Sequence, residues 1–298
     1  MSTSQGLQLP VGGPAPASQP VLGPSALAGD FERFWSLTTT LARTEFKLRF
    51  FGSVLGYLWT LVRPLLLFGV LWVFFTKVGH VNSSTKPSER FYGAQLLGSI
   101  VLFTFFAEAT GGAVRSMVDR ENLLRRVRFP RLVIPASVVL LALFNLGLNL
   151  VVVMIFTLAA GVTPMLSWLE LPLIVLALAV LSAGMAMLLS ALFVHFRDIQ
   201  PIWEVIAQIL FYASPVIISI ITVKEKLTHF WLHVYMLNPL AVIFQQFRHA
   251  IVTHATPSAG QVLGSWGSLL PPLAIVVVLF CIGFAVFNGA AARIAENL

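Results

Sequence analysis

Six arginines cluster in one stretch of the chain, Arg115–Pro135, which reads RSMVDRENLLRRVRFPRLVIP and lies between two long apolar runs. Two acidic residues, Asp119 and Glu121, stand among them. We interpret these carboxylates as salt-bridge partners of the arginines rather than as a general acid and base, because six arginines are their neighbours in the sequence. Such a basic stretch between apolar runs is typical of the cytosolic face of a membrane protein. The arginines are Arg115, Arg120, Arg125, Arg126, Arg128 and Arg131.

The middle of this stretch predicts a short amphipathic helix. Leu123, Leu124 and Val127 fall on one side of it and charged residues on the other. Pro130 and Pro135 bracket the turn into the following apolar run. Membrane topology requires the charges but not an apolar side, so we expect this helix to dock against a cytosolic protein.

Other chemical motifs are missing from the sequence. It contains no GxxxxGK[ST] loop, so the chain is not expected to bind ATP by that route. It also lacks HExxH and CxxC, and its one cysteine, Cys281, lies in an apolar run. His229 and His233 form an HxxxH pair without a third ligand, which we interpret as one face of an external helix. No metal site and no catalytic residue are predicted.

Two acidic residues, Glu108 and Glu204, lie inside apolar runs, where carboxylates can couple transport to protons or sodium ions. Each lies near the predicted cytosolic end of its run, without a basic partner nearby in sequence. We therefore interpret them as residues that reach the interface or cap a helix. An ion-driven carrier is the weaker hypothesis.

The composition indicates a membrane protein that crosses the bilayer several times. Of its 298 residues, 57% are hydrophobic and only 10% are charged, and the mean hydropathy is +0.87. Soluble domains carry about 25% charged residues. The net charge of +7 comes from residues in the short connections between apolar runs, so nucleic-acid binding is not predicted.

Six apolar runs are long enough to cross a hydrocarbon core, which needs about 20 residues per helix. Six crossings place both termini on one side, together with Arg115–Arg131. Thirteen of the nineteen lysines and arginines then lie on that side, which predicts that it is cytosolic. The predicted spans are Leu58–Val78, Tyr92–Gly112, Leu132–Ala160, Leu171–Val194, Pro201–Ile221 and Leu269–Phe287.

The rest of the chain is divided by composition. Residues 1–29 are rich in Pro, Gly, Ser and Ala and predict a disordered tail. Residues 30–52 predict an amphipathic helix in the cytoplasmic interface, and 53–298 an all-α membrane domain with a cytosolic loop at 113–131. Within 222–268, an Asn-Pro break and a short apolar patch predict re-entrant half-helices on the external side, or a helix on the outer lipid surface.

The chain is rich in aromatic residues, with 24 Phe, 7 Trp and 4 Tyr. Most are expected to pack against lipid or other helices. A subset could line a conduit, where flat rings stack on sugar faces. The candidates are Trp72, Phe75, Phe103, Phe106, Phe211 and Tyr212.

Four segments follow one another along the chain in a recognisable order. They are Lys47–Pro64 (KLRFFGSVLGYLWTLVRP), Asn122–Pro135 (NLLRRVRFPRLVIP), Phe196–Ile199 followed by Tyr212–Pro215, and Asn238–Leu240 with Arg248. Together they resemble the permease subunit of ABC-2 type exporters of polysaccharides and polyol phosphates, the O-antigen and teichoic acid exporter group. The resemblance covers about residues 30 to 290 and includes the six-helix plan.

This resemblance implies a homodimeric permease in the cytoplasmic membrane, paired with two copies of a cytosolic ATPase that carries the ATP and Mg²⁺. No cofactor is implied for this chain. A lipid-linked glycan, on a polyprenyl diphosphate, would cross at the dimer interface. The residues implied are Asn122, Leu123, Leu124, Arg126, Val127 and Phe129 for coupling to the ATPase; Arg49 and Arg63 for the substrate phosphate; and Trp231, Tyr235, Asn238 and Pro239 for an external gate.

Two other functions stay open. An ABC-2 exporter of a lipid or drug would share the helical plan, and an aliphatic lining of the conduit would favour it over rings at several depths. A membrane glycosyltransferase or lipid-carrier enzyme would require a metal site or an acid pair, and the sequence offers neither.

Overall fold

The computed structural model describes residues 31–50, 54–78, 91–121, 130–218, 220–226 and 228–297. Within these ranges the side chains at 49–50, 54–58, 222, 225–226, 229 and 291–297 are not described. All regular structure in the described part is helical. The α-helices are α1 (Phe31–Phe50), α2 (Val54–Lys77), α3 (Tyr92–Asp119), α4 (Val133–Ala159), α5 (Leu171–His195), α6 (Ile199–Ala213), α7 (Ile220–Lys226), α8 (His229–Met236), α9 (Pro239–Phe247), α10 (Ala259–Leu263) and α11 (Leu270–Asn297).

The predicted all-α membrane fold is confirmed. Five helical stretches among the described residues are long and apolar enough to cross a membrane. They coincide with five of the six predicted runs, while the count of six crossings stays a prediction. The stretches are Trp59–Lys77, Tyr92–Asp119, Val133–Ala159, Leu166–His195 and Trp266–Ala290, the last two including a 3₁₀ turn before α5 and α11.

The remaining predicted run, Pro201–Ile221, is not one continuous helix. Helix α6 ends at Ala213, and at 1.5 Å per residue its 15 residues span about 22 Å, less than the hydrocarbon core. Ser214 is extended, with φ −99° and ψ 156°, because a residue before proline avoids the helical region and Pro215 follows it. The chain becomes helical again only at α7.

Helix α3 forms the centre of the bundle. It packs against α2, α4, α5 and α6, and most of its residues between Tyr92 and Met117 are buried. Helix α5 packs along α11, where Gly184 and Gly283 bring the two backbones into direct contact. A methyl group on Gly283 would overlap the carbonyl oxygen of Gly184. Small residues of this kind allow close approach of membrane helices.

Helix α1 lies against α4 through one face. Phe34, Thr38 and Ala42 are buried on it at helical spacing, whereas Phe31 and Trp35 are exposed. Phe46 of α1 also meets Phe144 of α4 edge to face, with ring centroids 6.0 Å apart. The helix is therefore joined to the membrane domain by its apolar face. Its position in the lipid interface stays a prediction.

Short helices fill the end of the bundle opposite to the arginines. Helix α9 begins at Asn238-Pro239, where the Asn238 side chain accepts a hydrogen bond from the amide of Leu240 at 3.0 Å and Pro239 takes the first helical position. It is mostly buried, and Phe247 at its end lies so close to Gly98 of α3 that a methyl group there would overlap the ring. A π-helical turn, Arg248–Val252, follows directly.

Candidate functional site

The arginine-rich end of the bundle is where α3 ends, α4 begins, and α5 passes into α6. Arg120 joins three elements there. Its Nη1 donates to Ser137 Oγ of α4 at 2.9 Å, and its Nη2 forms a salt bridge with Glu45 of α1. Burial lowers the pKa of Arg120. The end of α3 is thus tied to both α4 and α1.

The predicted coupling residues belong to the segment between the end of α3, which carries Arg120, and the start of α4, which carries Ser137. Asn122, Leu123, Leu124, Arg126, Val127 and Phe129 all fall in 122–129, outside the described residues. Their flanks are described: Glu121 follows Arg120 at the end of α3, and Pro130 is buried just before α4. Because both flanks belong to packed helices, a force on 122–129 would act on α3, α4 and α1 together.

Helix α6 presents a row of polar side chains along one edge. Gln200, Glu204, Gln208 and Tyr212 follow one another at intervals of four residues, which places them on one side of a helix. Gln200 Nε2 donates to Glu204 Oε1 at 3.0 Å, so the row is also connected. Glu204 and Gln208 are exposed, and Tyr212 keeps 67% of its surface.

The other side of α6 is anchored to α3 by aromatic residues. Trp203 is 5% exposed, and its indole Nε1 donates to Thr110 Oγ1 at 3.2 Å. Phe211 meets Phe103 edge to face, with ring centroids 5.0 Å apart. Residues next to the polar row are apolar and also exposed: Ile202, Val205, Ile206 and Ile209. In the isolated chain α6 therefore exposes two neighbouring rows of side chains. We call the row from Gln200 to Tyr212 the polar edge and the row from Ile202 to Ile209 the apolar edge.

A second polar group lies within the membrane-spanning part of the bundle. Asn145 of α4 donates through Nδ2 to Glu108 Oε1 of α3 at 2.8 Å, and Asn149 donates to the Asn145 carbonyl at 2.9 Å. The carboxylate of Glu108 is thus bound to a neighbouring helix, and its reach to the interface stays a prediction. Sequence separation hid this partner.

The predicted conduit aromatics occupy two kinds of environment. Phe103 and Phe106 are buried in the core, where they support Phe211 and Trp203. Trp72 keeps 38% of its surface and Tyr212 is exposed, whereas Phe75 and Phe211 are half-buried. Lining a conduit stays a prediction for all six, and exposure favours Trp72 and Tyr212.

Of the two arginines predicted for phosphate binding, Arg49 lies at the end of α1 and Arg63 within α2. Arg63 is exposed beside the buried Pro64. The side chain of Arg49 is not among those described. Their role stays a prediction.

At the end of the bundle opposite to the arginine-rich end, one arginine, Arg248, is fully buried. Arg248 is 2% exposed, and its guanidinium donates to Ser99 Oγ at 3.2 Å, to the Val216 carbonyl at 2.8 Å and to the Ile218 carbonyl at 3.2 Å. Tyr92 Oη donates to the carbonyl between them, that of Ile217, at 3.1 Å. Arg248 lies outside the five spanning stretches, and burial lowers its pKa to about 10, so it stays protonated at neutral pH.

The predicted gate residues near Arg248 differ in burial and in their contacts. Tyr235 is half-buried, and burial, opposed by Arg248, raises its pKa to about 12. Asn238 donates to Ser214 Oγ at 3.0 Å and so joins the start of α9 to the end of α6, with Pro239 next to it. Trp231 is exposed. A gating role for the four stays a prediction.

Sequence reasoning missed the contacts of three residues: Arg120, Glu45 and Arg248. Arg120 and Glu45 are far apart in the chain, and an acid in an amphipathic helix gives no sign of its partner. Arg248 carried a signal, since an arginine beside an apolar patch is costly unless its donors are satisfied. Among the described residues no group of His, Cys, Asp or Glu could hold a metal ion, and the His229 side chain lies outside them.

Comparison with known proteins identifies similar chains. Residues 36–252 match the family model described as ABC-2 type transporter. An O-antigen export system permease protein RfbA of Myxococcus xanthus is 28% identical over 272 residues, which cover 91% of this chain and 99% of the relative. A protein of the same name from Klebsiella pneumoniae is 26% identical over 265 residues, covering 89% and 95%.

Proposed function

Because this chain belongs to the ABC-2 type transporter family of membrane proteins, we propose that it is the permease subunit of an exporter of lipid-linked polysaccharide. The family implies association with an ABC ATPase, and the relatives are named as permease proteins of an export system. ATP and Mg²⁺ bind to that separate ATPase, of which two copies serve a homodimer of the permease. The chain lies in the cytoplasmic membrane with both termini in the cytosol.

The exposed polar edge of α6 is the observation that carries this proposal. A row of Gln and Glu on an apolar helix is costly in lipid, so such residues face a cavity or another protein chain. Here the row continues to the ring of Tyr212, which suits the polar and flat faces of sugars. We assign this edge to the path of the glycan.

The apolar edge of α6 supports the homodimer. Val205 and Ile209 are exposed next to the polar row. Two copies that meet through such apolar edges would place their polar edges around one shared path and keep lipid out of it. The conduit then belongs to the dimer, and each chain supplies one wall.

The cargo is proposed from chemistry and from the relatives' names. The relatives are O-antigen export permeases, and O-antigen is a polysaccharide. The lipid carrier we propose is a polyprenyl diphosphate. Its phosphates suit the guanidinium groups of Arg49 and Arg63, since arginine binds phosphate through paired donors. Export of a lipid or drug remains the alternative within the family.

Coupling to the ATPase is proposed for residues 122–129. Their flanks are held by the Arg120 contacts to Ser137 and Glu45, so a movement of the ATPase would be passed to α1, α3 and α4 as a unit. The external gate is proposed for α8 and α9. In this proposal residues 122–129 control the cytosolic end of the glycan path, and α8 and α9 control its external end.

The test of the proposed path replaces Gln208 and Tyr212 together by leucine. We expect transport of a fluorescent lipid-linked glycan into proteoliposomes by the permease–ATPase complex to fall at least about tenfold, while ATP hydrolysis continues. The matched control, Val205→Leu with Ile209→Leu on the apolar edge, should transport normally. Equal transport by both pairs would remove the polar edge from the path.

Energy coupling through carboxylates is tested by Glu108→Gln with Glu204→Gln. Glutamine keeps the length of each side chain, and at position 108 it can still accept the Asn145 hydrogen bond. We expect transport to keep at least roughly one third of its rate and to depend on ATP alone, a change of less than about 0.7 kcal/mol in activation free energy. Complete loss, with dependence on a proton or sodium gradient, would instead identify an ion-coupled carrier.

A further inference from the structure

A cavity of about 370 Å³ lies between α1, α4, α5 and α11. This volume is within the range of small-ligand sites, about 300–1,000 Å³. Every described residue that lines it is apolar, so these side chains offer no hydrogen bond to a sugar. The lining residues are Phe34, Leu132, Pro135, Ala136, Val139, Ala183, Met187, Phe280 and Phe284.

The cavity lies toward the arginine-rich end of the bundle. Leu132 and Pro135 belong to the start of α4, and Met187 lies two turns before the end of α5. Among the described residues, none from α2, α3 or α6 lines the cavity, so it is separate from the polar edge assigned to the glycan. Its place at the end of the spanning helices suits the alkyl chain of a lipid in that leaflet.

A charged residue, Arg131, stands next to the apolar lining in the sequence. It directly precedes the cavity-lining Leu132 and is only 8% exposed. Its Nη1 is buried and has no hydrogen-bond partner in the part of the chain that the structure describes. Arg120, at the same end, is fully engaged by Glu45 and Ser137. A buried Nη1 group without an acceptor is unfavourable, and a phosphate that reached it would satisfy it.

We propose that the cavity and Arg131 together bind one anionic glycerophospholipid of the adjacent leaflet. One alkyl chain occupies the apolar cavity, and the headgroup phosphate accepts hydrogen bonds from Arg131. The lipid is a resident of the membrane and not the transported substrate, because a glycan cannot be accommodated by nine apolar side chains. This site is independent of the proposed transport function.

Such a lipid would stabilise the packing of α1 against the spanning helices. Phe34 is the one residue of α1 that lines the cavity, and the other walls belong to the spanning helices. Filling the space between them adds apolar contacts that the empty cavity lacks. The headgroup also neutralises a charge at the end of the segment that joins α3 to α4. The bound lipid therefore acts on the element next to the proposed ATPase contact.

The test uses the full chain, purified in detergent, stripped of lipid, and mixed with phosphatidylglycerol or phosphatidylcholine of the same alkyl chains. Native mass spectrometry should detect one retained phosphatidylglycerol per chain, and the lipid should raise the melting midpoint. We expect Arg131→Gln to weaken this retention at least about tenfold, equivalent to 1.4 kcal/mol. Ala136→Leu, which fills the cavity and leaves the arginine in place, should weaken it as well. The matched control is Arg197→Gln, an exposed arginine at the same end, which should retain lipid as the wild type does.

Several results would overturn the proposal. Equal retention of phosphatidylcholine would show that no anionic headgroup is recognised, and unchanged retention in both variants would place the lipid elsewhere. Competition by the lipid-linked glycan would assign the cavity to the substrate, and loss of dimers in Ala136→Leu would assign it to a second copy of the chain. If Arg131→Gln fails to fold, Ala136→Leu decides between these outcomes.

Discussion

Leu124→Asp combined with Val127→Asp is expected to abolish ATP-driven export. The two residues form part of the apolar side of the predicted coupling helix, and two carboxylates there would lose their hydration if the ATPase bound. At about 2 kcal/mol for each central contact residue, the affinity for the ATPase should fall about a thousandfold. The measurement is ATPase stimulation and export by the reconstituted permease–ATPase mixture, together with co-purification of the two subunits.

The apolar pair Leu124→Ile with Val127→Ile is the control for this variant, because it changes shape without adding charge. It should retain both the complex and export. Membrane insertion and dimer formation of the aspartate variant should match the wild type, since both residues lie outside the spanning stretches. A stable complex that still exports would show that residues 122–129 do not make the contact.

Arg248→Met should destabilise the protein more than any surface substitution. The change keeps a long side chain but removes the donor to the buried Ser99 hydroxyl, to the buried Val216 carbonyl and to the partly buried Ile218 carbonyl. Each buried acceptor that loses its donor costs about 1–3 kcal/mol, so we expect a loss of about 3–5 kcal/mol in the free energy of unfolding. At about 2–4 °C for each kcal/mol in a chain of this size, we expect the melting midpoint to fall by about 10 °C.

Lys224→Met is the matched control for Arg248→Met, since Lys224 is an exposed cation of the neighbouring α7. Its melting midpoint should stay within about 1 °C of the wild type, because exposed charges contribute little. Arg248→Lys should fall between the two variants, because an ammonium group can reach fewer of the three acceptors. A melting midpoint for Arg248→Met equal to that of Lys224→Met would exclude a structural role for the buried guanidinium.

The spanning helices could be predicted from composition because lipid imposes a length and an apolar content on them. The run Pro201–Ile221 has the same composition, but its helix stops at Ala213. A hydropathy count gives no weight to the extended backbone that Pro215 imposes on Ser214. The length of an apolar run therefore predicted which residues lie in the membrane better than it predicted where a helix ends.

The polar contacts could not be predicted, because they depend on which helices become neighbours. Glu45 and Arg120 belong to helices that nothing in the sequence brings together, and Glu108 finds Asn145 on a different helix. The spacing of Gln200, Glu204 and Gln208 was visible in the sequence. Its meaning depended on which side of α6 stays uncovered, and Trp203 decides this by turning toward α3.

The backbone contact at Gly184 and Gly283 has a mechanical consequence. Helices that touch without intervening side chains cannot slide or rotate past each other without a clash of main-chain atoms, so α5 and α11 must move as one body. Helix α6, in contrast, is held to α3 by side chains, namely a few aromatic residues and the hydrogen bond from Arg115 Nε to Gln200 Oε1, and side chains can change rotamer. We therefore expect α5 and α11 to form a rigid unit, a stator, and α6 to be the mobile element, or blade. An alternating cycle would open by displacement of the blade while the stator keeps its shape.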